Sequence, residues 1–154
     1  MMRFSSIAEV VEVANLARLG SNDPHTKVGA VLIVPDRSPG APFGAWVVAT
    51  QGFNWIVAAG PESFERPLKY DHVIHAECMA IGAAAQVGIP LQGAAIFTTH
   101  PPCKECAKLI RAGGISTVIL GDEDYSSNTA ENKAAAAHLL HGLRVQHHSE
   151  VKRL

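Results

Sequence analysis

Helices and strands alternate three times in the second half of the chain, and this order limits the folds open to it. Alanine-rich or amphipathic stretches at 75–87, 103–112 and 129–141 predict helices. A short apolar stretch follows each helix, and these predict strands at Ala94–Thr98, Thr117–Leu120 and Leu143–Gln146. Strands joined through helices form parallel pairs. The pattern therefore predicts an α/β sandwich with a partly parallel sheet.

The first half of the chain predicts a helix followed by a hairpin. Apolar residues recur at helical spacing over 5–19, and Gly20 ends that helix. Ala30–Val34 and Ala45–Gln51 predict two antiparallel strands with a long connection, which brings the expected number of strands to five. The segments outside this framework are the stretch from Phe53 to Asp71, expected to be a long ordered loop, and the polar tail from His147 to Leu154, expected to fray.

Size and charge restrict the class of protein. The 154 residues, 47% of them apolar, predict one domain over residues 1–154. Thirteen basic and fourteen acidic side chains give a formal charge of −1, which argues against a general nucleic-acid binder. No apolar run approaches the ~20 residues of a membrane helix, and the start of the chain lacks the apolar core of a signal peptide. We therefore expect a cytoplasmic protein without membrane contacts.

Two short segments carry the chemistry. They are His75-Ala76-Glu77 at one predicted helix start and Pro102-Cys103-Lys104-Glu105-Cys106 at the next. Cys103 and Cys106 are three apart, so both sulfurs share one helix face near an N-terminus, which favours thiolates. With His75 they make a three-ligand set, and three protein ligands are typical of a catalytic zinc that keeps one position for water. Together the segments match the H-x-E and P-C-x-x-C signature of zinc-dependent base deaminases.

Glu77 is the residue that distinguishes a catalytic zinc site from a structural one. A carboxylate two residues from the histidine is not needed to hold the ion, but it can move protons between water and the base. Alternatives stay open at this point: a lone C-x-x-C can be a redox pair or half of a structural zinc site, and spacing alone does not exclude Cys78 as a fourth ligand. His138, His141, His147 and His148 are interpreted as surface residues.

Beyond these motifs the chain resembles the deoxycytidylate deaminases of the cytidine/deoxycytidylate deaminase superfamily over about residues 5 to 147. The resemblance is carried by three stretches, Asp23-Pro24-His25-Thr26-Lys27-Val28-Gly29-Ala30, Lys69-Tyr70-Asp71-His72-Val73-Ile74 and Pro102-Cys103-Lys104-Glu105-Cys106-Ala107-Lys108-Leu109-Ile110. It implies a cytidine deaminase-like three-layer α/β/α sandwich with a five-stranded mixed sheet. It also implies conversion of dCMP to dUMP and ammonia, with one zinc per chain.

The resemblance assigns roles to individual residues. His75, Cys103 and Cys106 correspond to zinc ligands and Glu77 to the catalytic glutamate. Asn54 corresponds to a position near the substrate sugar and phosphate, and Ala30 belongs to the segment that approaches the base. Further substrate-binding candidates are Lys27, Arg66 and Lys69, as cations for a phosphate, and His100, which precedes the zinc turn. Family members are often oligomers, so a homo-oligomer (hexamer or dimer) is expected, and some respond to effector nucleotides with Mg²⁺.

Two departures from the family keep other substrates under consideration. Met79 stands where the family commonly has Asn, and Trp55-Ile56-Val57-Ala58 replaces a Gly and Pro-Arg-Gly segment. With a methionine at this position, the chain resembles tRNA adenosine deaminases and guanine deaminases. Guanine, cytidine or deoxycytidine and tRNA adenosine are therefore alternative substrates, with a non-catalytic zinc-binding interaction domain as a third alternative.

Overall fold

The computed structural model describes residues 1–125 and 128–154 and has the predicted alternation of helices and strands. The helices are α1 (Ile7–Ala17), α2 (Leu68–His72), α3 (Ala76–Gln86), α4 (Lys104–Ala112) and α5 (Ala130–Leu139). The strands are β1 (Met2–Arg3), β2 (Gly29–Pro35), β3 (Trp46–Phe53), β4 (Trp55–Ile56), β5 (Val73–Ile74), β6 (Ala95–Thr98), β7 (Thr117–Leu120) and β8 (Arg144–His147). Among the described residues we find no helix with the length and apolarity that a membrane crossing requires.

A mixed six-stranded sheet with the order β1-β3-β2-β6-β7-β8 forms the centre of the molecule. The predicted hairpin is confirmed, since β2 and β3 pair antiparallel, and β2 also pairs antiparallel with β6. The strands joined through helices, β6, β7 and β8, pair in parallel. The carboxyl ends of these three strands consequently lie at one edge of the sheet, and the loops that follow them are neighbours.

Both faces of the sheet are covered by helices, which confirms the three-layer α/β/α sandwich. In β2, Ala30, Leu32 and Val34 face the apolar cluster that includes α3, α4 and α5, whereas Val31 and Ile33 face the cluster with Val10 and Ala14 of α1. Side chains alternate between the two faces of a strand, and a strand buried on both faces reads as a continuous apolar run. This explains the unbroken Ala30–Val34 stretch in the sequence.

The sheet has six strands rather than the expected five. The additional strand, β1, contains only two residues, and it pairs with β3 at the sheet edge through Met2↔Val48 and Arg3↔Val47. Two residues are too few to show a hydrophobic period in the sequence. The side chain of Arg3 also forms an ion pair with Asp36 on the β2–β3 connection, which fixes this edge.

The segment from Phe53 to Asp71 is more regular than the single loop that we expected. It contains β4, which pairs with β5 in a separate two-stranded sheet, and most of α2. The expectation of a fraying tail was wrong. Val151 and Leu154 pack against the apolar cluster on the α1 side of the sheet, and these two contacts hold the otherwise polar tail.

Candidate active site

His75, Cys103 and Cys106 form a compact cluster of potential metal ligands. The Nδ1 atom of His75 lies 3.3 Å from the Sγ atoms of both cysteines. All three ligand atoms lie within 4.8 Å of one another, and Cys106 is fully buried. The three side chains that the sequence motifs singled out are therefore brought together at one point.

The donor set fits zinc. Zinc–sulfur and zinc–nitrogen bonds of about 2.3 and 2.0–2.1 Å at tetrahedral angles put neighbouring N and S ligands about 3.6 Å apart. The observed 3.3 Å separations are close to this value. One imidazole and two thiols leave a fourth tetrahedral position open, as in catalytic zinc centres. These residues could hold a zinc ion with only small adjustments.

The first turns of two helices present the cluster. His75 is the N-cap residue of α3, and Cys103 is the N-cap residue of α4. The positive ends of both helix dipoles therefore point towards the cluster and favour negative charge there. Gly52 of β3 allows the approach of α3, because a Cβ atom at this position would lie 2.2 Å from the carbonyl oxygen of Ala76. Only glycine lets the strand backbone come so near to the helix start.

The protonation states of the cluster are strongly coupled in the absence of a metal ion. The pKa of Cys103 is lowered to about 3, chiefly by the hydrogen bond from the Cys106 thiol, and the pKa of Cys106 is raised because its thiol donates to Cys103. The hydrogen bond with Cys103 raises the pKa of His75 to about 9. The metal-free site thus contains an imidazolium–thiolate pair, and a metal ion must displace the proton of His75.

Glu77 lies buried directly beside this cluster. Its side chain is 1% exposed, with Oε2 3.5 Å from the Sγ atom of Cys106 and Oε1 3.4 Å from the hydroxyl of Thr98. Burial raises the pKa of Glu77 above the ordinary value of a glutamate, because the charged form loses solvation. A carboxyl group with a raised pKa at a metal-ligand cluster can both accept and donate a proton.

Cys78 adjoins the cluster without belonging to it. Its thiol contacts Cys106, and this contact is the main reason why the pKa of Cys78 is lowered to about 7. The group of atoms within 4.8 Å of one another comprises His75, Cys103 and Cys106 alone. Cys78 is half-buried, and the fourth-ligand role that its spacing left open is not supported by this arrangement.

A cleft opens beside the cluster, and its walls come from five parts of the chain. Its lining residues are Asp23, Thr26, Val28, Asn54, Arg66, Lys69, Tyr70, Val73, His75, Ala76, Cys103, Tyr125, Asn128 and Asn132. Most of the lining residues have a polar or charged side chain, and the aromatic rings of Tyr70 and Tyr125 add apolar surface. The guanidinium group of Arg66 lies 5.6 Å from the centre of the Tyr70 ring. Such a cleft suits a polar ligand with a flat ring.

Asn54 and Lys69, two of the expected substrate-binding residues, line the cleft but are already bound to the protein. Asn54 accepts a hydrogen bond from the amide of Val28 and donates to the carbonyl oxygen of Thr26 and to Asp23. The ammonium group of Lys69 lies 2.7 Å from the carboxylate of Asp23. Both residues therefore hold the turn at 23–28 in place. Among the cationic side chains that line the cleft, Arg66 differs from Lys69 because no carboxylate of the described residues lies within ion-pair distance of its guanidinium group.

The other three candidates lie outside the cleft lining. Ala30 is fully buried within β2, and the ammonium group of Lys27 donates to the carbonyl oxygen of Ser21. His100 is buried behind the cleft, where its ring lies 4.7 Å from the ring of Tyr125. Its Nε2 atom faces Glu123 at 3.2 Å, and burial lowers its pKa. His100 contacts the Tyr125 ring of the cleft lining, so it can affect a ligand through that ring.

Sequence reasoning missed the cleft wall formed by Tyr125, Asn128 and Asn132. These residues precede or begin α5, which packs on α4. The Asn132 side chain accepts a hydrogen bond from the amide of Lys104 and donates one to Asn128, so it connects the wall to the first turn of α4. The sequence signal that could have revealed this wall is Asn132 in the first turn of an alanine-rich helix, because asparagine does not favour helix formation there.

Comparison with known proteins gives a consistent result. Residues 5–122 match the family model described as "Cytidine and deoxycytidylate deaminase zinc-binding region". The chain is 32% identical to ComE operon protein 2 of Bacillus subtilis (strain 168), over 75% of this chain and 58% of that protein. It is 30% identical to the human deoxycytidylate deaminase, over 83% of this chain and 69% of that protein. The chain thus spans little more than half the length of the first of these relatives.

Solved structures agree with the sequence matches. A dCMP deaminase from the cyanophage S-TIM5, crystallised in complex with dCMP and dUMP, superposes with a TM-score of 0.66 and 25% identity. The superposition covers 92% of this chain and 96% of the phage protein. The two chains therefore share their fold over nearly their whole described lengths.

Proposed function

Because the chain belongs to the family with the cytidine and deoxycytidylate deaminase zinc-binding region, we propose that it hydrolyses dCMP to dUMP and ammonia. The observation that carries this proposal is the buried carboxyl group of Glu77 beside the His75–Cys103–Cys106 cluster, next to a cleft lined by polar and aromatic side chains. A zinc site that only stabilised a fold would not need a buried acid with a raised pKa next to it. The relatives and the phage enzyme named for dCMP support the choice of substrate.

In this proposal His75, Cys103 and Cys106 bind one zinc ion through Nδ1 and two thiolate sulfurs. Zinc bound there supplies Lewis-acid activation of the water that attacks the base. The two helix N-termini stabilise the thiolates, and the close contact of β3 with α3 keeps His75 in position. These residues bind and orient, and they take no part in proton transfer to the substrate.

Glu77 moves the protons in the proposed reaction. It accepts one proton from the attacking water and gives it to the ring nitrogen, then takes the second proton of the same oxygen and gives it to the amino group, which leaves carbon 4 as ammonia. Water and dCMP are consumed, dUMP and ammonia are formed, and Glu77 returns to its initial state. Burial raises the Glu77 pKa, so the carboxyl group can hold the proton between these two steps.

Arg66 is the residue that we propose for the 5′-phosphate. It lines the cleft beside Tyr70 and brings a guanidinium group that can form two parallel hydrogen bonds with phosphate oxygens. Lys69 carries a second positive charge into the same wall, but its pairing with Asp23 favours a supporting role. Asn54, Ala30, Lys27 and His100 shape or back the site in this scheme.

The decisive experiment supplies zinc-loaded protein with dCMP, dCTP, cytidine, deoxycytidine, guanine, adenosine and a tRNA anticodon stem, and measures ammonia release. We expect turnover of dCMP above all others. Turnover of guanine or of the tRNA stem without turnover of dCMP would contradict the proposed substrate. A lack of turnover with every compound would contradict an enzyme and favour an interaction domain.

Two variants separate metal binding from catalysis. Glu77→Gln should keep its zinc, measured by elemental analysis, and lose about 10²–10⁴-fold in turnover, since it removes a general acid and base. Glu105→Gln, on the exposed side of α4 in a pair with Lys108, should change neither quantity. Full activity of Glu77→Gln would contradict the role given to Glu77.

We also propose that residues 1–154 act as a single deaminase domain that assembles into a homo-oligomer. Trp55, Val57, Leu68, Tyr70 and Ile74 expose apolar surface around the β4–β5 sheet and α2. Apolar surface concentrated in this way is typical of contacts between proteins. Light scattering should give a dimer or hexamer for the wild type and a smaller particle for Ile74→Glu, and a monomeric wild type would contradict this assembly.

The proposed enzyme acts in the cytoplasm. Its three cysteines are free thiols at or beside the site, and such thiols persist in a reducing compartment. Control by Mg²⁺ with an effector nucleotide is an expectation from the family resemblance. Measuring dCMP turnover with and without dCTP, dTTP and Mg²⁺ tests it.

A further inference from the structure

A second group of potential metal ligands lies at the carboxyl edge of the sheet, away from the cluster at α3 and α4. Asp122 follows β7, His147 is the last residue of β8, and His148 begins the short helical turn after it. Because β7 and β8 are parallel and pair Leu120 with His147, the sheet itself brings these chain ends together. The sequence alone predicts that both histidines are surface residues.

The three side chains converge on one point. The Nε2 atoms of His147 and His148 each lie 2.9 Å from the same carboxylate oxygen of Asp122, and the three ligand atoms are all within 4.8 Å of one another. Consecutive residues of an extended chain point in opposite directions. Here the chain turns from β8 into a 3₁₀ turn at His148, and the turn directs both rings to one side.

Contacts other than Asp122 hold the two rings in place. The rings of His148 and the buried Phe97 are nearly perpendicular, with 6.4 Å between ring centres and an angle of 85°. The Nδ1 atom of His147 lies 2.7 Å from the hydroxyl of Ser149, and its backbone amide donates to Glu150. This Nδ1 atom also accepts a hydrogen bond from the backbone amide of Ser149, so Nε2 carries the ring proton and donates it to Asp122, and a metal ion would bind at Nε2 in place of that proton.

We propose that Asp122, His147 and His148 form a second metal site, which binds a divalent transition-metal ion such as Zn²⁺. Two imidazoles and one carboxylate on one side of the ion leave positions for water. Imidazole nitrogen favours zinc and its neighbours over Mg²⁺, which prefers oxygen ligands. Two histidines on one carboxylate could also form a plain hydrogen-bonded group, and the count of bound metal ions distinguishes the two cases.

A metal ion at this site would fasten the segment that forms one wall of the cleft. Each of the four residues from Asp122 to Tyr125 has a contact of its own. Asp122 faces the two histidines, and Tyr125 lines the cleft. Between them, Glu123 pairs with Arg18 and His100, and Asp124 pairs with Lys133. The ion would join the start of this segment to the end of β8. The second site thus has a structural consequence without any part in the deamination chemistry.

The test counts metal ions on untagged, zinc-loaded protein dialysed against micromolar Zn²⁺. Wild type should retain two zinc ions per chain, and the Asp122→Asn, His147→Gln and His148→Gln variants should each retain one. The matched control is the double variant His138→Gln/His141→Gln, which removes two other exposed histidines and should retain two. Unfolding curves check that each variant is folded, and millimolar Mg²⁺ should not displace the second ion.

Cobalt substitution identifies which site is filled. Co²⁺ on thiolates gives an intense sulfur charge-transfer band, whereas Co²⁺ on two imidazoles and a carboxylate gives only weak visible absorption. The Asp122→Asn variant should lose the weak absorption and keep the intense band, and the double variant Cys103→Ser/Cys106→Ser should do the reverse. One zinc ion per wild-type chain would overturn the proposal, as would two ions in all three single-ligand variants, or loss of the second ion in the His138/His141 control. None of these results depends on whether dCMP is the substrate.

Discussion

The ammonium group of Lys69 lies 2.7 Å from the carboxylate of Asp23, and both side chains are almost completely buried beside the cleft. Asp23 also accepts hydrogen bonds from the amides of His25 and Thr26. We expect Asp23→Asn to lower the free energy of unfolding by about 3–5 kcal/mol, because it leaves the Lys69 ammonium group buried without its anionic partner. Urea unfolding at pH 7 with zinc present measures this loss.

The Asp23–Lys69 pair should also make the free energy of unfolding depend on pH. Burial raises the pKa of Asp23, but hydrogen bonds from Lys69 and the two amides outweigh it, so the folded-state pKa lies below the ordinary value. The stabilisation is therefore complete above about pH 4 and is lost as the pH falls through the lowered pKa. Asp124→Asn removes the half-exposed pair with Lys133 and should cost less than about 1 kcal/mol. Equal losses in the two variants would contradict the importance of burial.

Gly52 and Gly82 offer a matched pair of Gly→Ala substitutions. A Cβ atom at Gly52 would collide with the backbone of Ala76 and Ala80, whereas a Cβ atom at Gly82 in α3 would meet nothing within 4 Å. We expect Gly52→Ala to lower the free energy of unfolding by about 1–3 kcal/mol and to weaken zinc binding, because α3 and His75 must move. Gly82→Ala should stabilise the protein by about 0.4–1 kcal/mol through helix propensity. Unfolding curves and competition with a zinc chelator measure both effects, and unchanged zinc affinity in Gly52→Ala would contradict the positioning role.

Zinc affinity should rise steeply with pH. Cys103, with a pKa of about 3, is already a thiolate at neutral pH, but His75, with a pKa raised to about 9 by its hydrogen bond with Cys103, and Cys106 must each release a proton. With two protons released, the apparent affinity rises about 100-fold per pH unit between pH 6 and 8. A competition assay corrected for the chelator's own protonation measures the slope, and calorimetry in buffers of different ionisation enthalpy counts the protons. A flat profile would show that the metal-free cluster is not protonated as described.

Arg66 should matter only for substrates with a phosphate. If its guanidinium group binds the 5′-phosphate, Arg66→Gln removes a charge-assisted contact of about 1.5–3 kcal/mol and lowers kcat/KM for dCMP by about 10- to 100-fold. Turnover of deoxycytidine, which lacks the phosphate, should be unchanged. Arg37→Gln, outside the cleft, is the control for the loss of one surface charge. Equal effects of Arg66→Gln on both compounds would assign Arg66 to the cleft structure instead.

The framework of the fold could be predicted from the sequence because its elements have strong periodic signals. The strand Thr117–Leu120 has the predicted bounds, and α3 and α4 begin one residue after the predicted starts at 75 and 103. The residues at the predicted starts, His75 and Cys103, are the N-cap residues of these two helices. The two-residue strands β1 and β4 carry no such signal, because their pairing depends on partners distant in the sequence.

The two motifs that supply the ligand cluster were predictable from local spacing, because His75 with Glu77 and Cys103 with Cys106 each lie within one helical turn. The roles of charged side chains were harder to predict. Lys69 looked like a free cation in the sequence, and its pairing with Asp23 depends on a contact 46 positions away along the chain. Likewise, nothing local to His147 and His148 points to Asp122, and only the parallel pairing of β7 and β8 brings them together.

The residues of the site come from two different kinds of structure. His75, Glu77, Cys103 and Cys106 lie on first helical turns that pack on the central sheet, whereas Arg66, Tyr125 and Asn128 belong to the segments between elements. Substitutions in those segments can reshape the cleft walls while the helix starts keep their positions. A chain built in this way can acquire a new substrate through a few loop changes, and the same separation gives protein engineers a place to randomise residues without sacrificing the reaction centre.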